Sequence, residues 1–235
     1  MTNLEGRTAL VTGATSGIGN AIANKLKESG ANVIGVSRTE TDKHKFDGKC
    51  IVIELTNEQQ IKEELAKIEK PDILINCAGI AIDAKEFTET TTEEWDLTFD
   101  CNLKSMYLLT REVIPNMKKN KYGVIVNMSS VFHKGAPWQC LYATSKSAVL
   151  GFTDSLAKEL GEHNIRVHSV APGYTRTNMT QRWVQEGMEP QIIESTPLKK
   201  VGRPVDIANL VNFLCSDDSS YMTGHVTYID GGSSA

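Results

Sequence analysis

The stretch TALVTGATSGIGNAIANKLKESG, residues 8–30, decides the fold. It opens with a short apolar, β-branched run and turns through glycines at 13, 17 and 19. Ile18, Ile22 and Leu26 then recur at helical spacing. A strand that passes through a glycine-rich turn straight into an amphipathic helix is the first half of a βαβ unit. The helix ends in Ser-Gly, with Gly30 placed as a left-handed cap. The three glycines allow a tight turn and let a diphosphate reach the backbone. There the helix offers free N–H groups and the positive end of its dipole. A glycine turn without a ligand is the plain alternative; the strand before it and the helix after it favour the nucleotide.

The alternation continues outward. Runs at 32–36, 50–54, 72–76, 123–128, 166–170 and 226–230 read as strands. Several are unbroken apolar runs, as parallel strands are when buried on both faces. Helical patterns separate most of them. The expectation is an α/β fold: a doubly wound, mostly parallel seven-stranded sheet of Rossmann type with helices on both faces. No linker, repeat or low-complexity tract interrupts the chain, so residues 1–235 read as a single dinucleotide-binding domain. Two segments break the rhythm. SRTETDKHKFDGK, 37–49, is too short and polar for a crossover helix and reads as a turn or stub. Residues 177–203 are long, mixed in character and carry two prolines, and read as a substrate lid.

Composition removes several function classes. A net charge of −4 without basic runs argues against nucleic acid. The most apolar segment, ILINCAGIAI at 73–82, is far too short to span a bilayer, so no membrane partner is expected. The five cysteines are odd in number and none is spaced Cys-x-x-Cys. That disfavours a zinc site or a disulfide framework and fits a reducing, cytoplasmic compartment.

A second stretch carries chemistry: SSVFHKGAPWQCLYATSK, 129–146. Tyr142 and Lys146, four apart, share one helix face and would point into the cleft at the strand ends. A free tyrosine, with a pKa of about 10, is a poor acid–base catalyst near neutrality. A nearby ammonium favours the phenolate, so Lys146 is expected to lower that value.

The Gly-x-x-x-Gly-x-Gly spacing of TGATSGIG (12–19), joined to Tyr-x-x-x-Lys, resembles the short-chain dehydrogenase/reductase family in its compact single-domain form. NCAG (76–79), NMSS (127–130), YATSK (142–146), APGYTRT (171–177) and MTGHVTYIDGG (222–232) match that family in order and spacing over nearly the whole chain. Cys77 replaces the second Asn of the family's Asn-Asn-Ala-Gly segment. The resemblance implies an oxidoreductase that interconverts a ketone and a secondary alcohol by hydride transfer, with no metal. It implies a catalytic set of Asn102, Ser130, Tyr142 and Lys146. Ser130 would hydrogen-bond the substrate oxygen, Tyr142 would move the proton, Lys146 would also hold the nicotinamide ribose, and Asn102 would anchor a water. Of the two adjacent serines, Ser130 is chosen because the family's serine is the second.

The resemblance also assigns the cofactor's neighbours. Gly13, Thr15, Ser16, Gly17, Ile18 and Gly19 would face its phosphates. Asn76 and Gly79 would line the adenine–ribose side, and Glu54 would approach the adenine. Pro172 and Gly173 would shape the turn beneath the nicotinamide, with Thr177 nearby. Ser37 stands where NAD-preferring folds place an acid, and Arg38 follows it with a planar fork suited to phosphate. This favours NADP(H), with NAD(H) as the alternative. Phe132, Trp138, Gln139, Tyr174 and Trp183 would wall the substrate pocket, with Met179 and Met188 on the lid. A mixed polar and aromatic wall suits a polyol, sugar or small hydroxyketone. A 3-oxoacyl thioester is the alternative, because the C-terminal third is also similar to the fatty-acid ketoreductase members. A non-catalytic dinucleotide-binding regulator on the same fold is a further rival; such proteins typically lose the tyrosine or the lysine. Family members are usually tetramers, so a homotetramer (or homodimer) is expected, pairing helices 95–118 and 142–160 and the last strand.

Overall fold

The computed structural model describes residues 3–40 and 42–235; Met1, Thr2 and Thr41, the last within the expected stub at 37–49, lie outside the described residues. Seven strands form one sheet: β1 (Thr8–Thr12), β2 (Asn32–Ser37), β3 (Lys49–Val52), β4 (Ile73–Asn76), β5 (Gly123–Met128), β6 (Ile165–Pro172) and β7 (Val226–Ile229). Their order is β3-β2-β1-β4-β5-β6-β7, and every pairing is parallel. The helices are α1 (Gly17–Glu28), α2 (Glu58–Ala66), α3 (Thr92–Phe99), α4 (Ser105–Asn120), α5 (Cys140–Leu160), α6 (Gln181–Gln185), α7 (Glu189–Ser195) and α8 (Pro204–Cys215).

Side chains alternate across a strand, and both faces of this sheet are covered. Ala9, Val11, Ile75 and Val126 pack on one face against Ile22 and Leu26 of α1 and Val211 and Leu214 of α8. Leu10, Leu74, Ile125 and Val167 pack on the other against Leu65 of α2, Val113 of α4 and Leu160 of α5. This two-sided burial is why the strands read as unbroken apolar runs. The chain winds from β1 out to β3, then returns to place β4 on the far side of β1. The loops leaving β1 and β4 therefore part at their carboxyl ends and open a crevice between them.

The connection from β2 to β3 holds one 3₁₀ turn, Lys43–Lys45, in place of a crossover helix. Between α3 and α4 lies a π-helical turn, Asp100–Lys104. Residues 177–203 hold α6 and α7, and their base is clamped where Arg176 N–H donates to Gly202 O (3.0 Å) and Gly202 N–H to Tyr174 O (2.9 Å).

Arg166, buried in β6, staples α8 to the sheet. Its guanidinium donates to Leu214 O (2.8 Å), Ser216 O (3.0 Å) and Ser219 Oγ (2.9 Å) at the helix end. It also donates to Nε2 of the fully buried His168 (2.9 Å), which fixes the imidazole proton on Nδ1. Burial, aided by the Arg166 charge, pushes the His168 pKa down to about 4. Between its unfolded value near 6.5 and about 4, the unfolded chain binds a proton that the folded chain refuses. Stability therefore falls as pH drops through that window, by up to about 3 kcal/mol. Unfolding by denaturant at pH 7 and pH 4.5 should show a shallower loss in His168→Gln than in the wild type; equal slopes would contradict the assignment.

Candidate active site

The loops leaving β1, β4, β5 and β6 surround one cleft of ≈ 260 Å³. Its first wall is the glycine turn. Ser16, the N-cap of α1, makes no side-chain capping bond, so the first-turn N–H groups remain available to a ligand. A Cβ on Gly19 would lie 2.3 Å from Gly13 O, so the turn can close only on glycine. Gly17 has φ +52°, and a Cβ there would lie 3.4 Å from the Thr177 methyl, which sets the segment after β6 directly over the turn. Thr12 locks β1 to β4: its Oγ1 accepts from the N–H groups of Cys77 and Ala78 (both 2.9 Å) and donates to Ile75 O (3.3 Å). Sequence reasoning gave Thr12 no role, although its position as the last strand residue before Gly13 was visible. A glycine-only approach beside an uncapped helix start suits a dinucleotide diphosphate.

The second wall comes from α5, β5 and the π turn. Tyr142 and Lys146 lie one helical turn apart, with Lys146 Nζ 5.7 Å from the phenol ring centroid. Nζ donates to Met128 O (2.9 Å), and the Ser129 hydroxyl donates to Lys146 O (2.8 Å). Ser130 Oγ accepts from Phe132 N–H (3.2 Å) and faces the cleft beside Tyr142. Asn102 sits on the π turn, the kind of irregularity that re-aims a single side chain. Its Oδ1 accepts from Ile80 N–H (2.8 Å), and its Nδ2 donates to Ile80 O and Ser145 Oγ (both 3.0 Å). Ser145 Oγ in turn donates to Tyr142 O (2.7 Å). Asn102 thus braces the β4 loop against the helix that carries the tyrosine. Gly79 completes the wall: a Cβ there would lie 3.0 Å from Asn102 Oδ1 and 3.4 Å from Lys146 Nζ.

Burial governs both ionisable groups. It pushes the Tyr142 pKa above its ordinary value, with the Ser130 hydroxyl opposing. It pushes the Lys146 pKa down to about 8. The expectation that Lys146 lowers the phenol is therefore corrected. Removing the phenol from water penalises the phenolate more than its surroundings favour it.

Several expected site residues lie elsewhere. Asn76 is buried under the sheet, where its Nδ2 donates to Thr110 Oγ1 (3.1 Å) and Asn127 Oδ1 (2.9 Å). It does not line the cleft, because position 76 faces the α4–α5 side, two residues on from Leu74. Ser37 is buried and donates its hydroxyl to Thr39 O (2.8 Å) rather than presenting it to a ribose. Trp138 points to solvent, 60% exposed, from a left-handed backbone at φ 65°. Met188 is exposed and stands outside the cleft. Thr15 is half-buried and outside the enclosed cleft as well. Arg38 and Glu54 are exposed at the ends of β2 and β3. Both act on the Cys101 thiol, which burial pushes up with Glu54 adding and Arg38 opposing; this groups the three at the outer end of the crevice.

The remaining residues converge. Gly13, Ser16, Gly17, Ile18, Gly19, Gly79, Pro172, Gly173 and Thr177 line the cleft with Phe132, Gln139, Tyr174 and Trp183. The aromatics form a chain: Phe132 meets Tyr142 edge-on at 6.3 Å and Trp183 at 6.2 Å, and Trp183 stacks on Tyr174 at 5.5 Å. Met179 and Arg182 join them, and Arg182 escaped the sequence reading. Among the described residues, no group of three His, Cys, Asp or Glu is placed to hold a metal, and no helix is long and apolar enough to cross a membrane.

Residues 13–234 match the family model described as enoyl-(acyl carrier protein) reductase. The chain is 40% identical to a 3-oxoacyl-[acyl-carrier-protein] reductase of Thermotoga maritima, over 97% of this chain and 98% of that protein. Among solved structures, a 3-oxoacyl-[acyl-carrier protein] reductase with bound NAD from Brucella melitensis superposes with a TM-score of 0.92. It is 30% identical, over 99% of this chain and 93% of the other. A protein of Beutenbergia cavernae, provisionally described as an NAD(P)-dependent gluconate 5-dehydrogenase and holding NADP at low occupancy, also gives 0.92. It is 32% identical, over 98% of both chains.

Thr12→Val deletes the hydroxyl and strands the Cys77 and Ala78 N–H groups. It should cost about 3 kcal/mol in chemical denaturation and weaken dinucleotide binding at least tenfold in a fluorescence titration. Unchanged binding would remove Thr12 from the support of the turn.

Proposed function

This chain belongs to the short-chain dehydrogenase/reductase family of enzymes acting on C=O and CH–OH groups, and on that premise we propose that it reduces 3-oxoacyl thioesters with NADPH. Similarity to 3-oxoacyl reductases along the full chain carries this reading. The cleft walls support it. Phe132, Met179, Trp183 and Tyr174 present apolar surface suited to an acyl chain. A polyol or sugar, the first expectation from the sequence, would need a polar partner for each hydroxyl. A second reading, oxidoreduction of a sugar acid, draws on the gluconate 5-dehydrogenase likeness.

The dinucleotide, when bound, supplies the hydride that adds to the carbonyl carbon. The glycine turn and the start of α1 hold its diphosphate. Arg38 takes a 2′-phosphate, and Ser37, its hydroxyl turned to Thr39 O, stands where NAD-preferring folds carry an acid. Ser130 donates a hydrogen bond to the substrate oxygen. Tyr142, kept as a phenol by burial, gives its proton to the same oxygen. The Lys146 ammonium then stabilises the phenolate left behind. The Asn102 side chain, engaged with Ile80 and Ser145, braces the wall behind Tyr142. Residues 177–203 act as the lid, and the exposed Trp95, Leu97 and Tyr107 serve as a surface for self-assembly.

The reading is tested with acetoacetyl thioesters, polyols and sugar ketones, each with NADPH and NADH. Thioester reduction with NADPH should dominate; faster turnover of sugars or polyols would overturn it. Tyr142→Phe should lower kcat about 10³-fold. Because the phenol titrates high and Lys146 near 8, the wild-type rate should fall above about pH 8. Lys146→Arg, slower but unable to titrate, should lose that limb; a limb first seen near pH 10 would assign it to the tyrosine.

A further inference from the structure

Arg182 and Lys146 are the two cationic side chains that line the cleft among the described residues. Lys146 belongs to the proton chemistry. Arg182 has no part in it, yet it projects from α6 into the cavity beside Trp183, with its guanidinium carbon 5.9 Å from that ring centroid. Its counter-ion lies across the cleft mouth: Arg182 pairs with Asp83, on the connection that follows β4. The pair is lopsided. The Arg182 side chain keeps 28% of its surface in solvent, whereas Asp83 keeps 89%. An exposed carboxylate gains little from one ion pair, because water solvates it almost as well. A half-enclosed guanidinium backed by apolar and aromatic walls has fewer alternatives and binds a planar or tetrahedral oxyanion in a fork. Exchange of Asp83 for a second anion is therefore cheap for the carboxylate and favourable for the arginine.

We propose that Arg182 determines substrate specificity by anchoring an anionic group of the substrate, phosphate or carboxylate, at the cleft mouth, and that Asp83 is the counter-ion this group displaces. The inference rests on the reading of the cleft as the carbonyl-reducing site and adds a charge requirement to its substrate. It differs from a simple lid latch. In a latch, Asp83 and Arg182 matter equally, and the charge of the substrate is irrelevant.

The test compares matched carbonyl substrates that differ in charge away from the carbonyl. Acetoacetyl-CoA against the neutral acetoacetyl-N-acetylcysteamine probes a phosphate source. 5-Ketogluconate against fructose probes a carboxylate source. In each pair the readout is the anionic-to-neutral ratio of kcat/KM for wild type, Arg182→Met and Asp83→Asn. Arg182→Met should lower the ratio about tenfold, through KM, in whichever pair the wild type turns over, while Asp83→Asn should raise it or leave it. Equal losses in both variants, or an Arg182→Met ratio matching wild type, would overturn the anchor. Failure of the thioester reading appears separately, as wild-type turnover confined to the sugar pair; the ratio in that pair then decides the anchor.

Discussion

Two ionisable groups sit side by side at the head of one sheet, Lys146 buried and Tyr142 half-buried on the cleft wall, and the cleft is organised around that constraint. Tyr142 and Lys146 sit on α5 because a turn of helix spaces them, and strands, loops and part of the 177–203 segment wall the cleft around them. Burial of an unpaired ammonium is costly. The fold answers with one short bond, Lys146 Nζ to Met128 O at 2.9 Å, and with a pKa brought down to about 8. The phenol answers by staying protonated. A pair arranged in this way holds a proton ready to give, the direction that the proposed carbonyl reduction requires.

The supports of that pair radiate outward. Asn102 is aimed by a π turn at Ile80 and Ser145, and Ser145 reaches the backbone of Tyr142. Ser129 holds the backbone of Lys146. Beneath them, Asn76, Asn127, Thr110 and Thr153 form a buried polar chain that joins β4 and β5 to α4 and α5. Thr12 ties the glycine turn to the same β4 end. The glycine turn and the Tyr142–Lys146 pair are thus fastened to one another through the ends of neighbouring strands. Relative motion between them would have to break several buried hydrogen bonds at once.

Much of this was legible in the chain itself. All seven strands were, because two-sided burial leaves continuous apolar runs, and so was the first glycine turn, because its spacing admits few other structures. The four proposed catalytic residues fall around one cleft, with Asn102 behind its wall. Asn76 was misplaced although a signal existed: Leu74 faces the α4–α5 core, and strand alternation puts residue 76 on the same face. The π turn left no local mark, since its irregularity depends on what Asn102 reaches in three dimensions. Trp138 was wrongly placed in the pocket wall because a left-handed backbone at a tryptophan is not written in its type. The tyrosine's ionisation was misjudged for a related reason. A lysine four residues away is visible in a sequence, but the loss of water around both groups is not.

That last point is open to direct observation. Tyrosine labelled at Cζ with ¹³C, with the Tyr142 signal assigned by its loss in Tyr142→Phe, reports the phenol's ionisation across a pH titration. The account predicts that Tyr142 keeps its proton until pH exceeds the ordinary tyrosine value of 10.0. A midpoint near neutrality would contradict it and restore the lysine as the dominant influence.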